Sequence, residues 1–256
     1  MCLQESVSIP ANHPRYASLK IREHLVAMAD EGLVDRTGLI SQGRGEAFDY
    51  LMGECSGIPA KIAEKTAAAY LLKAENPVLC MNGNAVALDP QGLMKLAAAV
   101  PAKMEINVFH RREGRVEKLV KYMEEQGAKN VLGVVSDARI PGLSSDRALC
   151  TREGVFDSDV ILVPIEDGDR AEALVAMGKK VISVDINPLS RTSKVSTVPI
   201  SDEMSRAMAN ILEYVNELKG DDSAINAVIA GYSARNNRRD AIRNICDMLM
   251  SEFKEE

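Results

Sequence analysis

From residue 78 onward, short apolar segments alternate with longer amphipathic ones, which is the pattern of alternating strands and helices. The apolar segments are rich in β-branched residues and predict buried parallel strands at Val78–Met81, Glu105–Phe109, Asn130–Val135, Val160–Val163 and Val181–Val184, with a possible sixth at Val195–Ile200. Helical spacing predicts helices between them at Gln91–Val100, Glu113–Gln126 and Asp169–Gly178. The pattern therefore favours an α/β fold whose parallel sheet is covered by helices on both faces.

Helical patterns also flank this region. Arg15–Glu31 and a block that begins near Pro59 and ends at Asn76 precede the first strand. Two amphipathic helices follow Glu203, separated by a polar break at Gly220–Asp222. We expect one α/β domain over residues 1–256, with an N-terminal helical segment (1–76), a core (77–220) and C-terminal helices (221–256).

Composition narrows the class of protein. The 256 residues are 46% apolar, 27% charged and 4% aromatic, with a net charge of −6 and no long basic block, which argues against nucleic-acid binding. The five cysteines are scattered and form no C-x-x-C pair, so neither a zinc site nor a disulfide framework is indicated. Without a signal-like N-terminus or a membrane-length apolar run, we expect a soluble cytoplasmic protein that binds no membrane.

Polar side chains follow each predicted strand where it ends. The groups are Asn82-Gly83-Asn84, His110-Arg111-Arg112, Asp137-Ala138-Arg139, Glu166-Asp167-Gly168-Asp169-Arg170 and Asp185-Ile186-Asn187. Because the carboxyl ends of parallel strands meet at one edge, we expect these groups to gather along one rim. Carboxylates and guanidinium groups together suit a phosphate and metal site. Taken singly, each group also has a structural explanation, such as a helix N-terminus at Asp169.

The segment from Val181 to Ser193 changes abruptly from a buried strand to a polar loop. Asp185 can accept hydrogen bonds from ribose hydroxyls, while Ser190, Arg191 and Thr192 can hold phosphate oxygens. A loop that caps itself through Asn187 and Ser190 would fit the same sequence. The residues alone leave both interpretations open.

A second candidate for anion binding is Gly43-Arg44-Gly45, which precedes an apparent helix N-terminus. Glycines let backbone amides approach an anion, and Arg44 adds positive charge; the alternative is a flexible tight turn. The chain lacks a P-loop, a G-x-G-x-x-G after a strand and a G-x-S-x-G elbow. A nucleotide site must therefore be built in another way.

Several long motifs, in order along the chain, resemble one family. They are His13-Pro14-Arg15-Tyr16, Arg22-Glu23, Gly43 to Leu51, Asn82-Gly83-Asn84, Glu105-Ile106-Asn107, Arg139 to Leu143, Val163 to Val175 and Asp185 to Arg191. Their combination is similar to that of the archaeal-type 4-phosphopantoate–β-alanine ligases, or phosphopantothenate synthetases. The resemblance covers most of the chain, from about His13 to the helix after Glu203.

The resemblance implies a Rossmann-like, mostly parallel sheet with helices on both faces and added N-terminal and C-terminal helices, in a homodimer. It implies that ATP drives the condensation of 4-phosphopantoate with β-alanine to 4′-phosphopantothenate, AMP and diphosphate in coenzyme A biosynthesis. The chemistry needs positive charge around the diphosphate, and we expect Mg²⁺ to share that task with the arginines. The implied ATP contacts are Arg22, Arg44, Asp185, Ile186, Asn187, Arg191 and Thr192, with Glu203 and Met204 placed by spacing.

Such a ligase activates the carboxylate as an acyl adenylate, which the amine then attacks. Asp167 and Asp169 are candidates for holding the metal or the amine, and the candidates for the substrate 4-phosphate are Arg111, Arg112 and Arg139. Two alternatives from other classes share the predicted sheet: an NAD(P)-dependent oxidoreductase and a non-catalytic nucleotide-binding regulator. The oxidoreductase is disfavoured by the missing glycine fingerprint.

Overall fold

The computed structural model describes residues 9–13, 15–251 and 253, and the side chains of residue 17 and residues 41–46 are outside that description. Cys2 and Pro14 therefore lie outside the described residues, and so does the side chain of Arg44. None of the helices in the described ranges is long and apolar enough to cross a bilayer.

Strands and helices alternate through the middle of the chain. The strands are β1 (Pro77–Met81), β2 (Lys103–Ile106), β3 (Ala138–Arg139), β4 (Leu149–Cys150), β5 (Val160–Pro164), β6 (Lys180–Val184) and β7 (Val198–Ile200). The helices are α1 (Tyr16–Asp30), α2 (Arg36–Met52), α3 (Ile58–Lys73), α4 (Gly83–Leu88), α5 (Pro90–Ala99), α6 (Arg115–Glu125), α7 (Gly168–Ala176), α8 (Arg191–Val195), α9 (Met204–Leu218), α10 (Asp222–Gly231) and α11 (Ala234–Ser251).

Five strands form one parallel sheet in the order β2-β1-β5-β6-β7. The chain runs outward from β1 to β2 and then returns to the other side of β1, where β5, β6 and β7 follow in sequence. The strand order therefore reverses between β1 and β5. In open α/β sheets, ligands bind in the crevice outside the carboxyl ends of the strands at this switch point.

Alternate residues of the central strands pack on opposite faces of the sheet. Leu79, Met81 and Leu162 belong to the larger apolar cluster, which includes side chains of α3, α5 and α9. Val78 and Ile161 belong to a smaller cluster with side chains of α7 and of the segment around β4. Apolar side chains thus cover both faces, as the near-continuous apolar strands predict. The α/β class, the parallel sheet and its covering helices are confirmed.

The predicted strand Asn130–Val135 is wrong. Leu132 makes a single parallel bridge to Glu105 of β2, and the segment then leaves the sheet. Asn130 and Gly133 have φ values of 54° and 121°, which an extended strand does not allow. Gly133 also lies so close to the backbone of Ile106 that a Cβ atom would not fit. The small residue permits this contact, and the positive φ values end the pairing.

The sequence had suggested that the glycine motif of the N-terminal region precedes a helix, and this prediction is wrong. Gly43-Arg44-Gly45 lies inside α2, which begins at Arg36. The Asp35 side chain caps α2 by accepting from the Thr37 N–H at 3.1 Å. Because this cap starts the helix earlier, backbone N–H groups of the motif are not helix-terminal, and a glycine-loop anion site is not formed there.

Candidate active site

A large cavity of about 1040 Å³ opens at the carboxyl ends of β5, β6 and β7. Residues of α1, α2 and α11 close its other sides, and its lining includes Arg15, Ser18, Phe48, Asp49 and Ile245. Seven of the nine residues that the resemblance assigns to ATP also line it, namely Asp185, Ile186, Asn187, Arg191, Thr192, Glu203 and Met204. The volume is in the range of small-molecule sites, with a mixture of apolar and polar walls.

Local hydrogen bonds shape the loop after β6. The Asp185 carboxylate accepts from the Asn187 N–H at 3.0 Å, and the Asn187 side chain accepts from the Leu189 N–H at 2.9 Å. Ser190 caps α8 by accepting from the Ser193 N–H at 3.0 Å. The self-capping interpretation is therefore correct, and the same loop also lines the large cavity. The two interpretations of this loop are compatible.

Distant elements brace this loop. The Thr192 hydroxyl is buried and donates to the Glu166 carbonyl at 2.7 Å, which ties α8 to the loop after β5. On the opposite side, the Arg238 guanidinium of α11 donates to the Pro188 carbonyl at 3.1 Å. The C-terminal helices, which the sequence had left without a chemical role, thus help to hold the cavity wall.

Sequence reasoning missed a charged wall formed by Asp49, Asp202 and Arg206. The Arg206 guanidinium donates to Asp49 at 2.7 Å and to Asp202 at 3.0 Å, joining α2 to the carboxyl end of β7. All three residues line the large cavity. A signal was present, because Ser201-Asp202-Glu203 is a polar group that follows a predicted strand.

Behind this wall lies a buried carboxyl group. Glu64 of α3 is fully buried and accepts from the Asn210 amide at 2.9 Å. Asn210 also donates to Ser56, whose hydroxyl donates to Asp202 at 2.5 Å. Burial, together with the neighbouring Asp202 carboxylate, raises the pKa of Glu64 to about 8. Glu64 therefore carries a proton in the folded protein at neutral pH.

A small cavity of about 120 Å³ lies on the other side of the switch point, at the carboxyl ends of β1 and β2. It shares the lining residues Ile165 and Asp167 with the large cavity. Ile165 has a φ of 53°, a strained conformation for a β-branched residue. The Asn82 amide holds it by donating to the Ile165 carbonyl at 2.9 Å and to the Pro164 carbonyl at 3.0 Å.

Two buried arginines flank one buried carboxylate beneath this junction. Glu166 forms ion pairs with Arg147 and with Arg170, and both guanidinium groups are at least 96% buried. Arg147 also donates to the Asn107 carbonyl at 2.9 Å, while Arg170 contacts the Cys80 sulfur at 3.2 Å. Burial, together with the positive charge of Arg170, lowers the pKa of Arg147 to about 10, so Arg147 remains cationic at neutral pH.

The predicted rim is only partly assembled. The strand-end groups after β1, β5 and β6 meet at the two cavities, together with His110. Asp137 and Arg139 do not line either cavity, because they lie at the separate two-stranded β3–β4 pair. Arg139 donates to the carbonyls of Leu143 and Ser144 at 3.1 and 3.3 Å.

The remaining candidates lie in different places. Arg111 donates to the Gly133 carbonyl at 2.6 Å, and exposed Arg112 lies 3.5 Å from Asp35; neither lines a cavity. Asp167 lies at the junction, whereas Asp169 is exposed and lines neither cavity.

The two N-terminal ATP candidates lie on helices that reach the large cavity. Arg22 is exposed on α1, one turn beyond Ser18, which lines that cavity. The backbone of Arg44 lies on α2, one turn before Phe48. Because the Arg44 side chain is outside the described part of the structure, its contact with ATP stays a prediction.

The residues available to a metal ion are few. Across the described ranges, no group of three or more His, Cys, Asp or Glu side chains is arranged to hold one. Asp167 and Asp185 line the large cavity separately, and the Asp167 side chain is 47% exposed. One or two carboxylates suit a Mg²⁺ ion that keeps water and phosphate oxygens as its other ligands.

Comparison with known proteins identifies close relatives. The sequence profile described as phosphopantothenate/pantothenate synthetase matches residues 59–248. A 4-phosphopantoate–β-alanine ligase of Methanospirillum hungatei is 50% identical over 84% of this chain and 87% of its own length. Ligases of the same name from Methanosarcina mazei and Thermococcus onnurineus are each 45% identical, over 94% and 83% of this chain and 95% and 82% of their own lengths.

The raised pKa of Glu64 predicts a pH dependence of stability. Folding favours the protonated acid, so stability due to this group is present below pH about 4.5 and is lost as the pH rises towards 8. Glu64→Gln imitates the protonated acid. Its free energy of unfolding should therefore exceed that of the original protein by more at pH 9 than at pH 5, the difference being on the order of 2 kcal/mol. Denaturant unfolding at both pH values measures this, with Glu124→Gln at an exposed position of α6 as the control. Equal pH dependence in Glu64→Gln and the original protein would contradict it.

Proposed function

The chain belongs to the phosphopantothenate/pantothenate synthetase family, and on that basis we propose that it is the ATP-dependent ligase that joins 4-phosphopantoate to β-alanine. The products are 4′-phosphopantothenate, AMP and diphosphate, and the reaction belongs to coenzyme A biosynthesis. The observation that carries the proposal is that seven of the nine ATP residues inferred from the family line one cavity at the carboxyl ends of β5, β6 and β7. An oxidoreductase or a regulator would not account for relatives that are named as ligases.

ATP occupies the large cavity in this proposal. Asp185 and Asn187 lie in the loop after β6 and orient the ribose, while Arg191 faces the phosphates. Arg191 suits that task because its side chain is 70% exposed and its nearest described carboxylate, Glu172, is 3.5 Å away. Its guanidinium group therefore loses few protein contacts when it binds an anion. Arg22 and Arg44 add positive charge from α1 and α2.

The reaction proceeds in two steps. A carboxylate oxygen of 4-phosphopantoate forms a bond to the ATP α-phosphorus, and the bond to the β-phosphate oxygen breaks, which releases diphosphate. The β-alanine nitrogen then bonds to the acyl carbon, the carbon–oxygen bond to AMP breaks, and the nitrogen loses a proton. The protein contributes positioning and fixed charge. The proton passes to solvent at the junction of the cavities.

We also propose that Mg²⁺ accompanies ATP. Asp167 is the carboxylate that would hold it, and the ion would offset the negative charge of the phosphates. We also propose a cytoplasmic location, because the reaction consumes ATP.

A homodimer is the proposed assembly. Apolar side chains are exposed on three helices that pack together, α2, α3 and α11. They include Tyr50, Ile58, Ile62, Leu249 and Met250. Exposed apolar side chains grouped on neighbouring helices are typical of a subunit contact.

The proposed reaction predicts the fate of labelled oxygen. With ¹⁸O in the carboxylate of 4-phosphopantoate, one labelled oxygen should leave in AMP and the other should remain in the amide. Mass spectrometry of the products measures this, and a reaction without 4-phosphopantoate is the control. Label in inorganic phosphate, with ADP as the nucleotide product, would show that the carboxylate is phosphorylated instead.

Arg191→Gln should lower kcat/KM for ATP about 10²-fold, since it removes a fixed positive charge from the phosphates. Its exposed position predicts unchanged thermal stability. The matched control is Glu172→Gln, which removes the carboxylate beside Arg191 without altering a residue that lines either cavity. Full activity of Arg191→Gln would remove this residue from the ATP site.

Light scattering should give a mass twice that of one chain. Leu249→Asp places a charge on the exposed apolar face of α11 and should shift the mass towards that of the monomer. A monomer mass for the unmodified protein at working concentration would refute the dimer.

A further inference from the structure

The family relationship and the large cavity account for ATP, but they do not assign a place to the phosphate of the acid substrate. The candidates from the sequence, Arg111, Arg112 and Arg139, do not line either cavity. Arg111 and Arg139 are bound to backbone carbonyls of nearby loops. A different pair of arginines, Arg115 and Arg147, lines the small cavity.

Both arginines are buried and held in place. Arg115 donates to the His110 carbonyl at 3.0 Å and to the Leu33 carbonyl at 3.3 Å. Arg147 is fixed by Glu166 and by the Asn107 carbonyl. Among the described residues, its buried Nε has no hydrogen-bond partner and lies 3.3 Å from the Asp167 carboxylate. This N–H makes an ion-pair contact with Asp167 at the junction of the two cavities, but no hydrogen bond.

Two carboxylates also line the small cavity, and each is already engaged. Asp35 accepts from the N–H and the hydroxyl of Thr37 and lies 3.5 Å from Arg112. Asp167 lies at the end shared with the large cavity, beside the Arg147 Nε. His110, Arg115 and the engaged Asp35, by contrast, line the small cavity and not the large one.

The reaction requires a binding place for the substrate phosphate that lies apart from the ATP α-phosphate. The carboxylate that attacks ATP must reach the α-phosphate in the large cavity, while the phosphate of 4-phosphopantoate is at the other end of the molecule. The two cavities meet at Ile165 and Asp167. A volume of about 120 Å³ is too small for a nucleotide and suits a phosphate with a short carbon chain.

We propose that the small cavity binds the phosphate end of 4-phosphopantoate through Arg115 and Arg147, with the carboxylate directed to the junction at Ile165 and Asp167. This assignment rests on the proposed ligase function. It places the acid and ATP on opposite sides of the switch point between β1 and β5. Arg115 and Arg147 then select the phosphorylated acid over pantoate.

Thr37 provides the sharpest test, because it is exposed at the mouth of the small cavity. Thr37→Glu adds a negative charge there, and Thr37→Gln is its neutral control of the same size. Thr37→Glu should raise KM for 4-phosphopantoate at least about tenfold above Thr37→Gln and leave KM for ATP unchanged. KM for pantoate, which lacks the phosphate charge, should rise less.

Arg115→Gln tests the cation itself. It should raise KM for 4-phosphopantoate by about 10- to 100-fold and reduce the preference for 4-phosphopantoate over pantoate. Arg239→Gln, a surface substitution on α11, is the control for loss of an arginine. A loss of 4-phosphopantoate affinity in Arg139→Gln, with none in Arg115→Gln, would overturn the assignment.

Calorimetric binding of 4-phosphopantoate without ATP distinguishes failure of the cavity assignment from failure of the ligase function. If the original protein makes AMP and diphosphate but the Thr37 pair and Arg115→Gln bind 4-phosphopantoate equally well, the cavity assignment fails and the ligase function stands. If no AMP forms, yet Thr37→Glu weakens binding relative to Thr37→Gln, the proposed function fails while the anion site remains. Absence of both effects would overturn both.

Discussion

The amide of Asn82 is the contact on which the geometry of the site depends. Its nitrogen donates to two successive carbonyls after β5, and its oxygen caps α4 through the Ala85 N–H at 3.0 Å. One side chain therefore joins β1 to β5 where the strand order reverses, and it holds Ile165 in a conformation that a β-branched residue rarely adopts. Strained residues of this kind persist where the surrounding structure fixes them, and they occur often at functional sites.

The buried cluster of Arg147, Glu166 and Arg170 supports this junction from below. Removing charges from water is unfavourable, and paired buried charges are weak evidence for stability by themselves. Here two guanidinium groups face Glu166, and Asp167 at the junction of the cavities lies 3.3 Å from Arg147 as a second carboxylate. The desolvation cost of the cluster is offset by these carboxylates and by backbone carbonyl partners.

In the arrangement proposed above, ATP and the acid substrate bind on opposite sides of the switch point. The nucleotide side is formed by loops after β5, β6 and β7 and is closed by α1, α2 and α11. The other side is formed by loops after β1 and β2 and by the start of α2. Since Asp35, the N-cap of α2, lines the small cavity and Asp49 of α2 lines the large one, this helix extends along both cavities. The proposed arrangement lets one parallel sheet present two substrates to each other.

The sequence by itself predicted the five strands of the sheet, most of the long helices and the polar loop after β6, because strand periodicity, helix spacing and the Asp185 motif are local properties of the chain. Motifs spread over most of its length also indicated the family. It failed at Asn130–Val135, where two positive φ values end the pairing, and its candidates for the 4-phosphate, Arg111, Arg112 and Arg139, line neither cavity. Arg111 and Arg139 follow apolar segments as Arg147 does not, yet of these three arginines Arg147 is the one that lines the small cavity. That choice was decided by tertiary structure, since the direction of a long side chain depends on the carbonyls and carboxylates that distant segments bring to it.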